Sequence, residues 1–156
     1  MHPTRTRRTL TIMLATLALL AACTATHTAT DAPRVEYLEI VTPQVDATCD
    51  VLAEIRGVEF GEPVAELGGA RLSPMAGGGS IAVRGPLRPD EAPVVRPYLL
   101  VDDLDAAVAA ARNAGAEIAI ERMPLPGRGS IAIYILGGIE HGLWEPWPQG
   151  DGDDPG

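Results

Sequence analysis

Leu100-Val-Asp-Asp-Leu-Asp-Ala106, followed by Gly115-Ala-Glu-Ile118, decides the fold. An apolar strand end runs into two aspartates, and Asp102 or Asp103 is placed to accept a free amide at a helix start. The helix spans Leu104 to Ala114. Gly115 stops it, because glycine readily takes the left-handed conformation that closes a helix end. The same order occurs earlier as Val41-Thr-Pro-Gln-Val-Asp-Ala47 and then Gly57-Val-Glu-Phe60. The offset is 59 residues for the first part and 58 for the second. Gly79-Ser-Ile-Ala-Val83 likewise matches Gly129-Ser-Ile-Ala-Ile133. A repeat at this spacing, present twice, means two copies of one supersecondary unit.

Each copy opens on an alternating strand. In the first, Tyr37, Glu39 and Val41 point one way, Leu38 and Ile40 the other. A short helix follows, from Gln44 to Ile55 in the first copy, stopped by Gly57. Three strands come next, separated by Gly and Pro. They are expected at Glu59–Glu66, Ala70–Met75 and Ser80–Arg84 in the first copy. In the second they are expected at Glu117–Met123, Ser130–Leu136 and Gly142–Glu145. The order is βαβββ twice, an α+β fold, with module one at 34–85 and module two at 94–146. A link rich in Pro and charge, Gly85–Pro93, joins them, and residues 147–156 form an acidic, Gly-rich tail expected to be disordered.

Alternation assigns faces. Ile118, Ile120, Ile131, Ile133 and Ile135 are expected under the second helix, with Ala119, Glu121, Ser130, Ala132 and Tyr134 opposite. By the same rule Ile81 and Val83 face a helix, whereas Ser80, Ala82 and Arg84 do not. Leu99 and Val101 separate from Arg96, Tyr98 and Leu100. The faces away from the helices therefore collect Tyr37, Glu39, Arg84, Arg96, Tyr98, Glu121 and Tyr134. That set is too polar for a second closed core and too aromatic for plain solvent exposure. A concave surface that receives a small molecule is the use that fits it. The arginines would attract an anionic or carbonyl group, and the tyrosines give apolar walls with hydroxyl handles. Internal Glu–Arg pairing is the competing use of the charges. Trp144 is assigned to the core and Trp147 to the rim.

Module two carries a resemblance through Arg96-Pro-Tyr-Leu-Leu-Val-Asp-Asp-Leu-Asp-Ala-Ala107, Ala114-Gly-Ala-Glu117 and Pro124-Leu-Pro-Gly-Arg-Gly-Ser-Ile-Ala-Ile-Tyr134. It ends on Gly137-Gly-Ile-Glu-His-Gly-Leu-Trp-Glu145. Together with Glu36-Tyr-Leu-Glu-Ile-Val-Thr-Pro43, it resembles small bacterial glyoxalase-like proteins of the vicinal-oxygen-chelate superfamily. That superfamily includes glyoxalase I, bleomycin-resistance proteins and extradiol dioxygenases. The resemblance implies a concave mixed sheet and association as a homodimer. It does not imply one activity, since the superfamily hosts enzymes and binders alike. Family metal sites take His, Gln or Glu from the first and last strands of each module. The matching positions here hold Tyr37, Arg96, Ala82 or Arg84, and Gly142. None is a normal ligand for a divalent ion, and arginine repels one. No metal, no other cofactor and no assignable catalytic residue follow. The alternative is a glyoxalase-like metal-dependent lyase, isomerase or dioxygenase drawing on Glu36, Glu39, His141 and Glu145. An envelope interaction module is a third reading.

The N-terminus addresses location. Arg5, Arg7 and Arg8 precede the mostly apolar run Leu10–Ala22, shorter than the roughly 20 residues that span a bilayer. With Leu20-Ala21-Ala22-Cys23 at its end, this resembles a bacterial lipoprotein signal peptide over 1–22, its Cys23 the acylated (palmitate-type) residue. Thr24–Pro33 reads as the tether that completes segment 23–33. The protein is thus expected to be exported and lipid-anchored at the cell membrane or outer membrane. Cys49 is left alone and is expected to be buried. The 156 residues carry a net charge of −9, and all 12 basic residues are Arg. This acidic balance argues against nucleic acid, which needs clustered positive charge.

Overall fold

A computed structural model describes residues 33–147. The signal peptide, Cys23, the tether up to residue 32 and the tail from residue 148 onward lie outside the described residues. Ten elements follow in order. They are β1 (Val35–Val41), α1 (Val45–Arg56), a 3₁₀ turn (Ala65–Leu67), β2 (Arg71–Pro74), β3 (Ser80–Arg84), β4 (Val94–Leu100), α2 (Leu104–Asn113), β5 (Glu117–Leu125), β6 (Gly129–Leu136) and β7 (Ile139–Pro146). The strands make one mixed sheet, ordered β2-β3-β1-β4-β7-β6-β5. The α+β architecture of two related halves is as expected.

The helix ends form as their residues dictate. Asp103 accepts from the Ala106 amide at 2.9 Å, so it is the cap of α2. Glu145 adds a second cap from a distant strand, accepting from the Leu104 amide at 3.1 Å. Gly57 closes α1 at φ +66°. Cys49 is the buried residue of α1, and its thiol is free.

The halves are related strand by strand. β1 pairs parallel with β3, as β4 pairs parallel with β7, and β1 and β4 meet antiparallel at the centre. So β3 corresponds to β7 and β2 to β6. This corrects one part of the sequence comparison. Ser80–Val83 lies on β3 and Gly129–Ile133 on β6, strands that are not equivalent. The similarity of those five residues is local and carries no topology.

The same mismatch reversed the faces of β6. Ala132 packs with Leu104 and Val108 of α2, whereas Ile131 and Ile133 join Tyr37, Tyr98 and Trp144 on the opposite face. A small residue under an Ala-rich helix allows close approach, and the branched residues fill the wider concave side. On β5 a pairing irregularity between Ile118 and Ile120 splits them, Ile118 toward the helix and Ile120 toward the concave face.

The strand expected at Glu59–Glu66 is not formed. Only a bridge between Val64 and Ala70 and a hydrogen bond from the Gly61 amide to the Leu72 carbonyl, 2.9 Å, remain of it. Pro63 has no amide to give, and a glycine stands two residues before it, so this edge cannot continue a ladder.

Candidate functional site

The concave face holds a cavity of about 590 Å³, its lining drawn from every strand except β2. A pseudo-twofold axis passes between Leu38 and Pro97, which face each other across β1 and β4. It relates Tyr37 to Arg96, Glu39 to Tyr98, Ala82 to Gly142 and Arg84 to Trp144, by the registers of β1 with β3 and of β4 with β7. Equivalent positions have diverged in chemistry. The cross-strand pair Glu39–Arg96 is charged, while its mate Tyr37–Tyr98 is aromatic. The cavity is therefore polar at one end and apolar at the other.

At the polar end, Glu39 Oε1 accepts from Arg84 Nε at 2.6 Å, and Glu39 Oε2 accepts from Arg96 Nη1. Arg84 then turns its outer fork to Glu91, Nη1 donating to Oε2 at 2.9 Å and Nη2 to Oε1 at 2.7 Å. Arg96 turns its other edge to Glu140, which accepts from Nε at 2.8 Å and also from Nη2. Glu39, Arg84 and Arg96 are only 6%, 4% and 6% exposed. Charges so buried persist only when paired. Burial opposes the charge of Arg84, but its hydrogen bonds to Glu91 and Glu39 outweigh that and hold it charged. The Arg84 hydrogen bond brings the Glu91 carboxyl down to about 2.

At the apolar end the rings of Tyr37, Tyr98 and Trp144 pack mutually, with centroids 5.3–6.2 Å apart. Tyr98 lies across Gly142, where any Cβ would collide with its ring. Leu125, Ile131 and Ile133 continue this wall. Burial, then the charge of Glu39, pushes the Tyr98 phenol up to about 12, and raises Tyr37 further in the same way. Both stay neutral near pH 7, able to donate a hydrogen bond.

Five of the seven sequence-selected residues, Tyr37, Glu39, Arg84, Arg96 and Tyr98, line this one cavity. Glu121 and Tyr134 do not. Glu121 pairs with Arg112 of α2, and Tyr134 packs on the helix side, stacked on His141. Both corrections come from the altered faces of β5 and β6. Trp147 is also absent from the lining, although Trp144 belongs both to the core and to the cavity wall. Two carboxylates were missed, Glu91 in the inter-module link and Glu140 on β7. A signal for them existed: two inward arginines beside one inward glutamate leave a buried charge unbalanced.

Solved structures share this architecture at low identity. A hypothetical protein from Bacillus halodurans gives a TM-score of 0.62 at 10% identity, over 78% of this chain and 99% of that one. Methylmalonyl-CoA epimerase from Mycobacterium tuberculosis gives 0.57 at 20% identity, over 72% and 87%. A mutant of 4-hydroxymandelate synthase from Streptomyces coelicolor gives 0.59 at 17% identity, over 73% of this chain and 38% of that longer one. The chain has the vicinal-oxygen-chelate fold. No family model and no curated protein matches it.

Proteins of this fold commonly carry a divalent metal on the concave face, and the residues here do not fit one. Among the described residues no group of three His, Cys, Asp or Glu is placed to hold an ion. Both oxygens of Glu39 are engaged by arginine, and the Gly142 position is covered by Tyr98. Of the alternative set, only Glu39 faces the cavity. Glu36 pairs with Arg34, His141 stacks on Tyr134, and Glu145 caps α2 while accepting from Arg122 at 2.8 Å.

Proposed function

We propose that this protein is a lipid-anchored binding protein for a small molecule, acting without a metal. One observation carries the reading: a cavity with an aromatic end and an end of paired charges, on a face that would otherwise be solvated. Clefts of a few hundred Å³, mostly apolar with a few convergent polar groups, are the usual form of small-molecule sites. An amphipathic ligand matches both ends at once, its apolar body on Tyr37, Tyr98 and Trp144 and its polar group toward Arg84 and Arg96.

A thermal-shift screen of amphipathic compounds, run with and without chelator, tests this. Compounds of the right class should raise the melting temperature equally in both conditions, and Trp144→Ala should abolish the effect. A rise that requires added Zn, Mn, Fe, Co or Ni overturns metal independence, and no rise with any class overturns binding.

The anchor rests on Leu20-Ala21-Ala22-Cys23. Among the described residues no helix is long and apolar enough to cross a membrane. Cys23→Ser should move the protein to the soluble fraction and abolish fatty-acid labelling without changing the melting temperature of the folded body. Unchanged acyl labelling would rule the anchor out.

A further inference from the structure

The link between the modules closes one side of the cavity. Leu87 and Arg88 line it, and Leu87 lies across Gly68, where a Cβ would come within 2.9 Å of the leucine Cδ2. The link is clasped by one side chain. Glu91 accepts twice from the Arg84 fork and a third time from the Leu87 amide at 2.6 Å. The two carboxylates on Arg84 differ in kind. Glu39 sits on a central strand, fixed by β3 and β4 on either side. Glu91 sits in a segment without regular structure, Gly85–Pro93, with prolines at 86, 89 and 93. A bidentate carboxylate on the outer edge of a guanidinium is also how a carboxylate ligand binds arginine.

We propose that Glu91 is a built-in stand-in for the ligand's own carboxylate: the molecule that fills this cavity carries a carboxylate on an apolar body, and its binding displaces Glu91 from Arg84. This rests on the binding function proposed above and names the ligand's class. Charge supports the exchange. The polar end holds Glu39, Glu91 and Glu140 against Arg84 and Arg96, one negative charge in excess. An anion added to that set meets net repulsion. An anion exchanged for Glu91 leaves the balance as it was, and Glu91 regains water as the link swings out. The apolar body then takes up the wall of Leu125, Ile131 and Ile133.

The test uses 3-phenylpropionate and its neutral isostere 3-phenylpropanamide, titrated calorimetrically into the wild type, Glu91→Ala and Glu91→Gln. The acid should bind Glu91→Ala at least tenfold more tightly than it binds wild type, and the preference for the acid over the amide should rise from wild type to Glu91→Ala. Glu91→Gln, which keeps the shape of the clasp without its charge, should fall between them for the acid. In the wild type, acid binding should speed hydrogen exchange at the Leu87 amide, because its acceptor leaves. Acetate should raise the melting temperature of Glu91→Ala and leave that of wild type unchanged. Arg84→Lys, which keeps the charge but loses the fork, should remove the preference for the acid. Equal binding of acid and amide by Glu91→Ala, or no binding of either together with no acetate effect, overturns the exchange. Amide binding without acid preference does so while leaving small-molecule binding itself intact.

Discussion

The two halves of this molecule share one topology and put opposite chemistry at equivalent places. Module one presents Glu39 and Arg84 to the cavity where module two presents Tyr98 and Trp144, and the exchange is inverted at Tyr37 and Arg96. The halves also differ in completeness. Module two has four strands, whereas module one ends in a bridge at Val64 and Ala70. The lesson is that the axis constrains where side chains point and leaves their character free. A symmetric floor can thus hold an asymmetric ligand, one end charged and one end aromatic.

The sharpest way to break the contrast is Glu39→Ala. It strips both buried arginines of a shared partner and should cost about 3–5 kcal/mol, read as a loss of midpoint in chemical denaturation. Acid discriminates the halves next. Glu91 has its carboxyl lowered from the ordinary 4.5 to about 2, so its contribution is complete above that ordinary value. It is lost as pH falls toward 2, amounting to about 3 kcal/mol at most. Wild type should therefore lose stability over that range more steeply than Glu91→Gln, and identical acid profiles would contradict the pairing. Gly142→Ala probes the aromatic half, where the new methyl must push Tyr98 aside. A loss of about 1–3 kcal/mol is expected, together with a shifted Tyr98 ring resonance. The smallest effect belongs to the mate of Glu39. Tyr98→Phe loses only long contacts, 3.4 Å to Glu39 and to Arg96, and should cost under about 1 kcal/mol.

Much of the fold was legible because its signals are local. Asp103, Gly57 and Gly115 mark helix ends, and strict alternation on β1, β3 and β4 gave the correct faces of Tyr37, Glu39, Arg84, Arg96 and Tyr98. What failed was non-local. Ile118 and Ile120 are two apart yet face opposite ways, because an irregularity in pairing shifts the alternation, and no residue type announces it. Ser130–Ile133 looked like Ser80–Val83 but sits one strand earlier in its module. Pro63 was a visible objection to a strand at Glu59–Glu66. Glu140 lies 44 residues from Arg96, too far for any local signal, while Glu91 lies just 7 from Arg84 but across a link that alternation does not describe.

The charged pair between the halves has a consequence for how they come together. Sliding β4 along β1 by two residues would leave every side chain on its own face, so the apolar pattern is blind to that error. Glu39 would then meet Tyr98 or Val94 instead of Arg96. Arg84 and Glu140 would keep their local partners, and only the Glu39–Arg96 contact, the link of this network that joins β1 to β4, would be lost. Two lookalike halves with interchangeable hydrophobic seams thus carry a key cut for one alignment, and the same atoms that shape the floor of the cavity proofread its assembly.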